Sequence, residues 1–105
     1  MNFTNIDSET LLRLAKEGAK VIDVRTDAEV ARGVIPGASQ IALDKLAARS
    51  QELDTSKQII VYCQVGGRSA SAAQFLVSNG FQQVFNLQGG INAWISTGHE
   101  IGNLT

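Results

Sequence analysis

The stretch Ile59-Ile60-Val61-Tyr62-Cys63-Gln64-Val65-Gly66-Gly67-Arg68-Ser69 decides the fold class of this 105-residue chain. Its first four residues are β-branched or aromatic, the side chains that suit a buried strand. Gly66 and Gly67 break the run, and an alanine-rich helical pattern follows at once, Ser69 to Ser78, with Ala72, Phe75 and Leu76 on one stripe. Strand, short loop and helix in that order are the unit of a parallel sheet. Cys63 stands at the end of the strand and beside the start of the helix. Backbone N–H groups converge there and stabilise an anion. A cysteine so placed can hold its thiolate form and act as a nucleophile.

The same alternation extends outward in both directions. Asp7 or Ser8 caps a first helix to about Glu17, with Leu11, Leu12 and Ala15 on its apolar face and Gly18 ending it. Val21-Ile22-Asp23-Val24 reads as a short buried strand. Arg25-Thr26-Asp27 is the polar turn after it, and Asp27 is placed to cap a short helix through Ala31. Ile35-Pro36-Gly37 is a turn, Ser39 to Ala42 a brief strand, and Leu43 to about Leu53 a helix. Val84 to Leu87 is a third clear strand. Gly89-Gly90 leads from it into a helix carrying Ile91, Trp94 and Ile95, closed by Gly98. The expectation is an α/β fold, a mostly parallel sheet with helices on both faces, in one domain spanning 1–105. In such sheets, ligands bind beyond the C-terminal ends of the strands. Asp23-Val24-Arg25 and Cys63 both fall at that edge.

Composition narrows the function classes. A hydrophobic share of 44% against 18% charged is that of an ordinary globular domain. A net charge of −1 gives no general drive towards nucleic acid or an anionic membrane, so neither is expected as a partner. One cysteine allows no internal disulfide and no Cys-rich metal site, and suits a reducing compartment. Met1-Asn2-Phe3-Thr4-Asn5 has neither the basic nor the apolar part of a signal peptide, and no apolar run approaches membrane length. The expected location is the cytoplasm.

Cys63 has two readings. In one it is a small buried apolar residue ending a strand. In the other it is a nucleophile, which requires an exposed sulfur, stabilised negative charge and room for a substrate. An ordinary thiol, with a pKa near ~8.5, is only a few per cent ionised at neutral pH. Gly66 and Gly67 let the loop curl with its N–H groups inward, the helix start adds donors, and Arg68 is the one cation of the loop. Arg68 either meets an anionic substrate or turns to pair with an acid on a neighbouring element. Ser69 reads as a helix N-cap, since no histidine is placed to activate it. Asp23 either supports the loop by accepting hydrogen bonds from it or from Arg68, or belongs simply to the strand edge. Arg25 either shares that support or pairs with Glu29 or Asp27 at the surface. The lone His99 reads as a solvated turn residue and Trp94 as core.

Several pieces, in order, resemble the rhodanese (sulfurtransferase) family. Val21-Ile22-Asp23-Val24-Arg25 is similar to that family's early Asp-x-Arg strand end. Glu29 and then Gly33-Val34-Ile35-Pro36-Gly37-Ala38 are similar to its Gly-His-Ile-Pro-Gly-Ala turn. Cys63 to Ser69 resembles its Cys-x-x-Gly-x-Arg-Ser loop, and Gly89-Gly90-Ile91-Asn92-Ala93-Trp94 its closing Gly-Gly-x-x-x-Trp signature. Val34 departs from the usual histidine, Val30 from a common aromatic, and Gln64 and Val65 are neutral where some family loops carry extra positive charge.

The resemblance implies a sulfurtransferase with Cys63 as catalytic residue and Gln64, Val65, Gly66, Gly67, Arg68 and Ser69 as the active-site loop. A small sulfur-donor anion such as thiosulfate would give Cys63 a persulfide, and cyanide or a thiol would accept the sulfur. No metal and no cofactor are implied. A six-residue span from Cys63 to Arg68 fits a single sulfur atom better than the one-residue-longer loop with which related phosphatases and arsenate reductases hold an oxyanion. A persulfide carrier or binding module serving a protein sulfur donor or acceptor is the alternative, and a catalytically silent interaction domain a third reading.

Overall fold

The computed structural model describes residues 2–104, so Met1 and Thr105 of the expected 1–105 domain lie outside the description. Five strands form one sheet in the order β1-β5-β4-β2-β3, and every pairing is parallel. They are β1 (Thr4–Ile6), β2 (Lys20–Asp23), β3 (Ser39–Gln40), β4 (Gln58–Tyr62) and β5 (Gln83–Leu87). The helices are α1 (Ser8–Lys16), α2 (Asp27–Val30), α3 (Leu46–Arg49), α4 (Gly67–Ser78) and α5 (Gly90–Ser96). The expected α/β class and parallel sheet are what the chain forms. No helix among the described residues is long and apolar enough to cross a membrane.

The central strand divides the core in two, because successive side chains point to opposite faces. Ile59, Val61 and Cys63 point to one face, where Ala72, Ala73, Leu76 and Val77 of α4 and Leu46 of α3 cover them. Ile60 and Tyr62 point to the other, packed with Leu11 and Leu14 of α1 and Ile91 and Trp94 of α5. The parity of β4 thus puts the sulfur on the α4 side, facing the start of that helix.

Three local expectations need correction, and one strand goes unread in the sequence. The extended segment Thr4–Ile6 pairs with β5 as an edge strand. It is too short for its polar residues to signal a strand in the sequence. The N-cap of α2 is Thr26, not Asp27. Its hydroxyl accepts the Glu29 N–H while the Glu29 carboxylate accepts the Thr26 N–H, a reciprocal cap that a lone aspartate could not complete. Leu43 to Leu53 is not one helix but a 3₁₀ turn (Leu43–Lys45), the single turn of α3 and a second 3₁₀ turn (Ser50–Glu52). Leu46 is its one fully buried anchor, too little packing to hold a longer helix. The last correction concerns Ser69 and belongs to the site.

A buried side chain of β4 ties the turn after α2 to the centre of the sheet. The Tyr62 hydroxyl accepts the Ile35 N–H at 3.0 Å. Replacing Tyr62 by Phe leaves that N–H buried without its partner. The expected loss in urea unfolding is ~1–3 kcal/mol. A loss below ~0.5 kcal/mol would show that the contact does not hold the turn.

Candidate active site

β4 ends at Tyr62, and the next residue is the cysteine. The loop turns at Gly66, whose φ of +114° lies in the region that favours glycine. That turn starts α4 at Gly67, earlier than the alanine pattern suggests, so Ser69 is inside the first turn and is not the N-cap. Gly66 has no side chain to cap the helix. The sulfur takes that part: Cys63 Sγ accepts the N–H of Gly66 at 3.1 Å and of Ser69 at 3.4 Å. The Ser69 hydroxyl lies 3.4 Å from the same sulfur and 3.2 Å from the Gly66 carbonyl. Burial opposes ionisation of the thiol. The Ser69 hydroxyl and the N–H groups of Ser69, Gly66 and Val65 outweigh it and bring the Cys63 pKa below its ordinary value.

The residue is only 1% exposed, which differs from the open sulfur a nucleophile was expected to need. Apolar side chains of α3 and α4 cover it on the sheet face, and the donors that stabilise the thiolate close round the sulfur itself. A site of this kind admits a small terminal atom and not a bulky electrophile.

Other residues hold the loop from behind. The Ile91 N–H donates to the Cys63 carbonyl at 2.9 Å and the Asn92 N–H to the Gln64 carbonyl at 3.1 Å. Gly90 makes this approach possible. A Cβ there would collide with the Cys63 carbonyl oxygen and stand 2.5 Å from that of Gln64, at a φ of +60°. The Gln64 side chain is clamped too: its Nε2 donates to Asn92 Oδ1 at 2.6 Å and its Oε1 accepts from Arg25 Nη1 at 3.1 Å. Sequence reasoning singled out neither Gly90 nor Asn92 as support. The Gly89-Gly90 pair after a strand was the available signal.

Asp23 and Arg25 are buried and bonded to each other, not to surface acids. The Arg25 Nη2 reaches Asp23 Oδ2 at 2.7 Å and the Gly33 carbonyl at 2.7 Å, and its Nε meets both carboxylate oxygens. Its guanidinium carbon lies 5.8 Å from the centre of the Tyr62 ring. Asp23 reaches the loop only through Arg25 and Gln64, and the pairing of Arg25 with Glu29 or Asp27 does not occur. Glu29 goes instead to Arg68, whose Nη1 and Nη2 meet its two oxygens at 2.7 and 2.8 Å. Hydrogen bonds from Arg68, working against some burial, hold the Glu29 carboxyl down at about 2. Arg68 also lines an open groove of about 800 Å³ beside the loop, with Thr26, Asp27, Gln40, Asp44 and Lys45. Gln64 is part-buried, and Val65 at the loop tip is 64% exposed.

A rhodanese-like domain profile matches residues 7–97, the span that carries every element of this site. The chain belongs to the rhodanese-like domain family. Among its relatives, a sulfurtransferase of Allochromatium vinosum is 41% identical over 89% of this chain and 89% of its own length. The thiosulfate sulfurtransferase GlpE of Pseudomonas entomophila is 37% identical over 90% of this chain and 87% of its own. A rhodanese-related protein of Thermoplasma volcanium, solved by crystallography, superposes with a TM-score of 0.87 at 30% identity, over 95% of this chain and 98% of that one. Within this rhodanese-like domain, Val34, at the usual histidine position, is buried and bridges Gly102 through its backbone in both directions at 2.8 Å. At this position apolar packing and a backbone bridge stand in place of a polar side chain, while the Tyr62 hydroxyl and the Arg25 guanidinium brace the neighbouring residues Ile35 and Gly33. His99 is not merely solvated: its ring stacks on Trp94 at 4.4 Å, far from the loop in role.

Two substitutions test this geometry. Ser69→Ala removes the hydroxyl that contributes most to lowering the thiol pKa, so the midpoint of pH-dependent alkylation moves up; an unmoved midpoint refutes the assignment. Gly90→Ala forces a methyl into the loop backbone and should destabilise the fold by at least ~2 kcal/mol. Gly67→Ala is the control, because a methyl there meets nothing within 4 Å. Equal effects of the two would overturn the role given to Gly90.

Proposed function

We propose that this protein is a sulfurtransferase that carries a sulfane sulfur on Cys63 as a persulfide. The observation that carries the reading is the sulfur itself, accepting two backbone N–H groups beside the Ser69 hydroxyl at the start of α4. A thiol stabilised this way ionises more readily than a free one, so the hydrogen-bond donors take over the part of a neighbouring base.

The Cys63 thiolate attacks the outer sulfur of a donor such as thiosulfate. An S–S bond forms between Cys63 Sγ and that outer sulfur, the donor's own S–S bond breaks, and sulfite leaves with the electron pair. The product is Cys63–S–S⁻. Its terminal sulfur is where the loop amides can hold negative charge, as an oxyanion hole holds oxygen. Cyanide or a thiolate then attacks that sulfur, and the S–S bond breaks to return the Cys63 thiolate and release thiocyanate or a new persulfide. No proton needs to move in either half, which agrees with the Ser69 hydroxyl being placed as a hydrogen-bond donor to the sulfur. The short span from Cys63 to Arg68 supports sulfur over phosphoryl transfer.

A persulfide passed to or from a protein partner is the second reading. Val65, neutral and 64% exposed at the loop tip, favours it by offering an apolar contact beside the sulfur. Both readings need sulfur on Cys63. Incubation with thiosulfate should add one sulfur atom to the intact mass, and cyanide should remove it as thiocyanate. Cys63→Ser should abolish both. Thiocyanate formation undiminished in that variant overturns the sulfur-transfer reading.

A further inference from the structure

Among the described residues, the two arginines that serve the reactive loop, Arg25 and Arg68, are each occupied by a carboxylate. Arg25 is buried against Asp23. Arg68, near enough to Cys63 for the two to feel each other's charge, is held by both oxygens of Glu29. The carboxylate cannot swing away cheaply, because the Thr26 N–H and hydroxyl also donate to its Oε1, at 3.1 Å each. The adjacent groove adds no positive excess: Asp27 and Asp44 share its wall with Lys45 and Arg49, and Arg49 is itself paired with Glu52. In this setting no unpaired cation offsets the repulsion between the thiolate and an incoming anion, and that repulsion doubles for a dianion.

We propose that Glu29 is a specificity-determining residue: by occupying Arg68 through a two-point ion pair, it makes the site favour sulfur donors of low negative charge over dianionic ones. This deepens the sulfur-transfer reading and rests on it. The favoured class is a neutral or singly charged sulfane compound, such as an organic persulfide or a thiosulfonate. The thiosulfonate reaction balances as the thiosulfate one does: Cys63–S⁻ takes the terminal sulfur of R–SO₂–S⁻, the S–S bond of the donor breaks, and the sulfinate R–SO₂⁻ leaves with the electron pair.

The test compares two donors that differ by one charge, thiosulfate and benzenethiosulfonate, with cyanide as acceptor. Glu29→Gln keeps an oxygen for the Thr26 donors but removes the charge that neutralises Arg68. The ratio of kcat/KM for thiosulfate to that for benzenethiosulfonate should rise on the order of fivefold at low salt and fall back as salt is added. The double variant Glu29→Gln with Arg68→Gln should lose the gain. An unchanged ratio in Glu29→Gln, or a gain that survives loss of Arg68, overturns the proposal. A native protein that makes no thiocyanate from either donor overturns the sulfur-transfer reading and the donor preference with it. Alkylation of Cys63 by iodoacetate against iodoacetamide reads the same screening without sulfur chemistry. Glu29→Gln should raise the iodoacetate share, and no rise refutes the screening by Glu29.

Discussion

The buried pair of Asp23 and Arg25 is the contact on which the arrangement of the loops depends. One guanidinium joins the end of β2, the Gly33 carbonyl after α2 and the Gln64 side chain in the reactive loop. Planar geometry fixes the directions of its N–H groups, so the three loops take up a set orientation towards one another. Removing either charge would leave the other buried and unpaired, a change costing far more than the net worth of the pair. Gln64 passes the constraint on to Asn92, and the backbone of α5 closes it on the carbonyls of Cys63 and Gln64. Loop shape is thus over-determined from two sides, by a charged network and by a helix start.

What this rigid frame supplies is a fixed set of dipoles. The sulfur replaces a capping side chain at α4, so ionising the thiol and capping the helix are the same interaction. Preorganised amides need no rearrangement as charge moves from Cys63 to the outer sulfur. Low exposure follows from the same design, since the N–H groups can converge on the sulfur only by surrounding it. Selectivity for a small reacting atom is then a consequence of how the charge is stabilised, and no separate gate is required for it.

The architecture was readable in the sequence wherever burial set the pattern. Ile59 to Tyr62, Val21-Ile22 and Ala72, Ala73 and Leu76 of α4 are buried, and their residue types report it. The parts that escaped were those held by partners distant in sequence. Thr4–Ile6 is a strand because β5 lies beside it, and Leu43–Leu53 is broken because only Leu46 has a deep place to pack. Ser69 was placed on the boundary of α4, because a glycine at positive φ can start a helix that no side-chain cap announces. At the site, Cys63 and its loop were legible from local spacing. The clamp from Asn92, the approach of Gly90 and the union of Arg68 with Glu29 join residues dozens of positions apart, and each residue alone has an ordinary surface or turn explanation.

Glu29 shows why a motif does not by itself fix the electrostatics of a site. A cation after a cysteine loop suggests attraction for anions, yet here the reciprocal cap of α2 aims a carboxylate at that cation. The same carboxylate closes the cap and neutralises Arg68, so a short helix on a neighbouring loop governs the charge met by an approaching donor. Stabilisation of the thiolate survives this neutralisation, because its largest contributions come from N–H dipoles and a hydroxyl within hydrogen-bond reach. The two tasks are therefore separable: backbone dipoles make the nucleophile, while the Arg68–Glu29 pair sets which charges are admitted to it. A change at Glu29 can alter the second without dismantling the first.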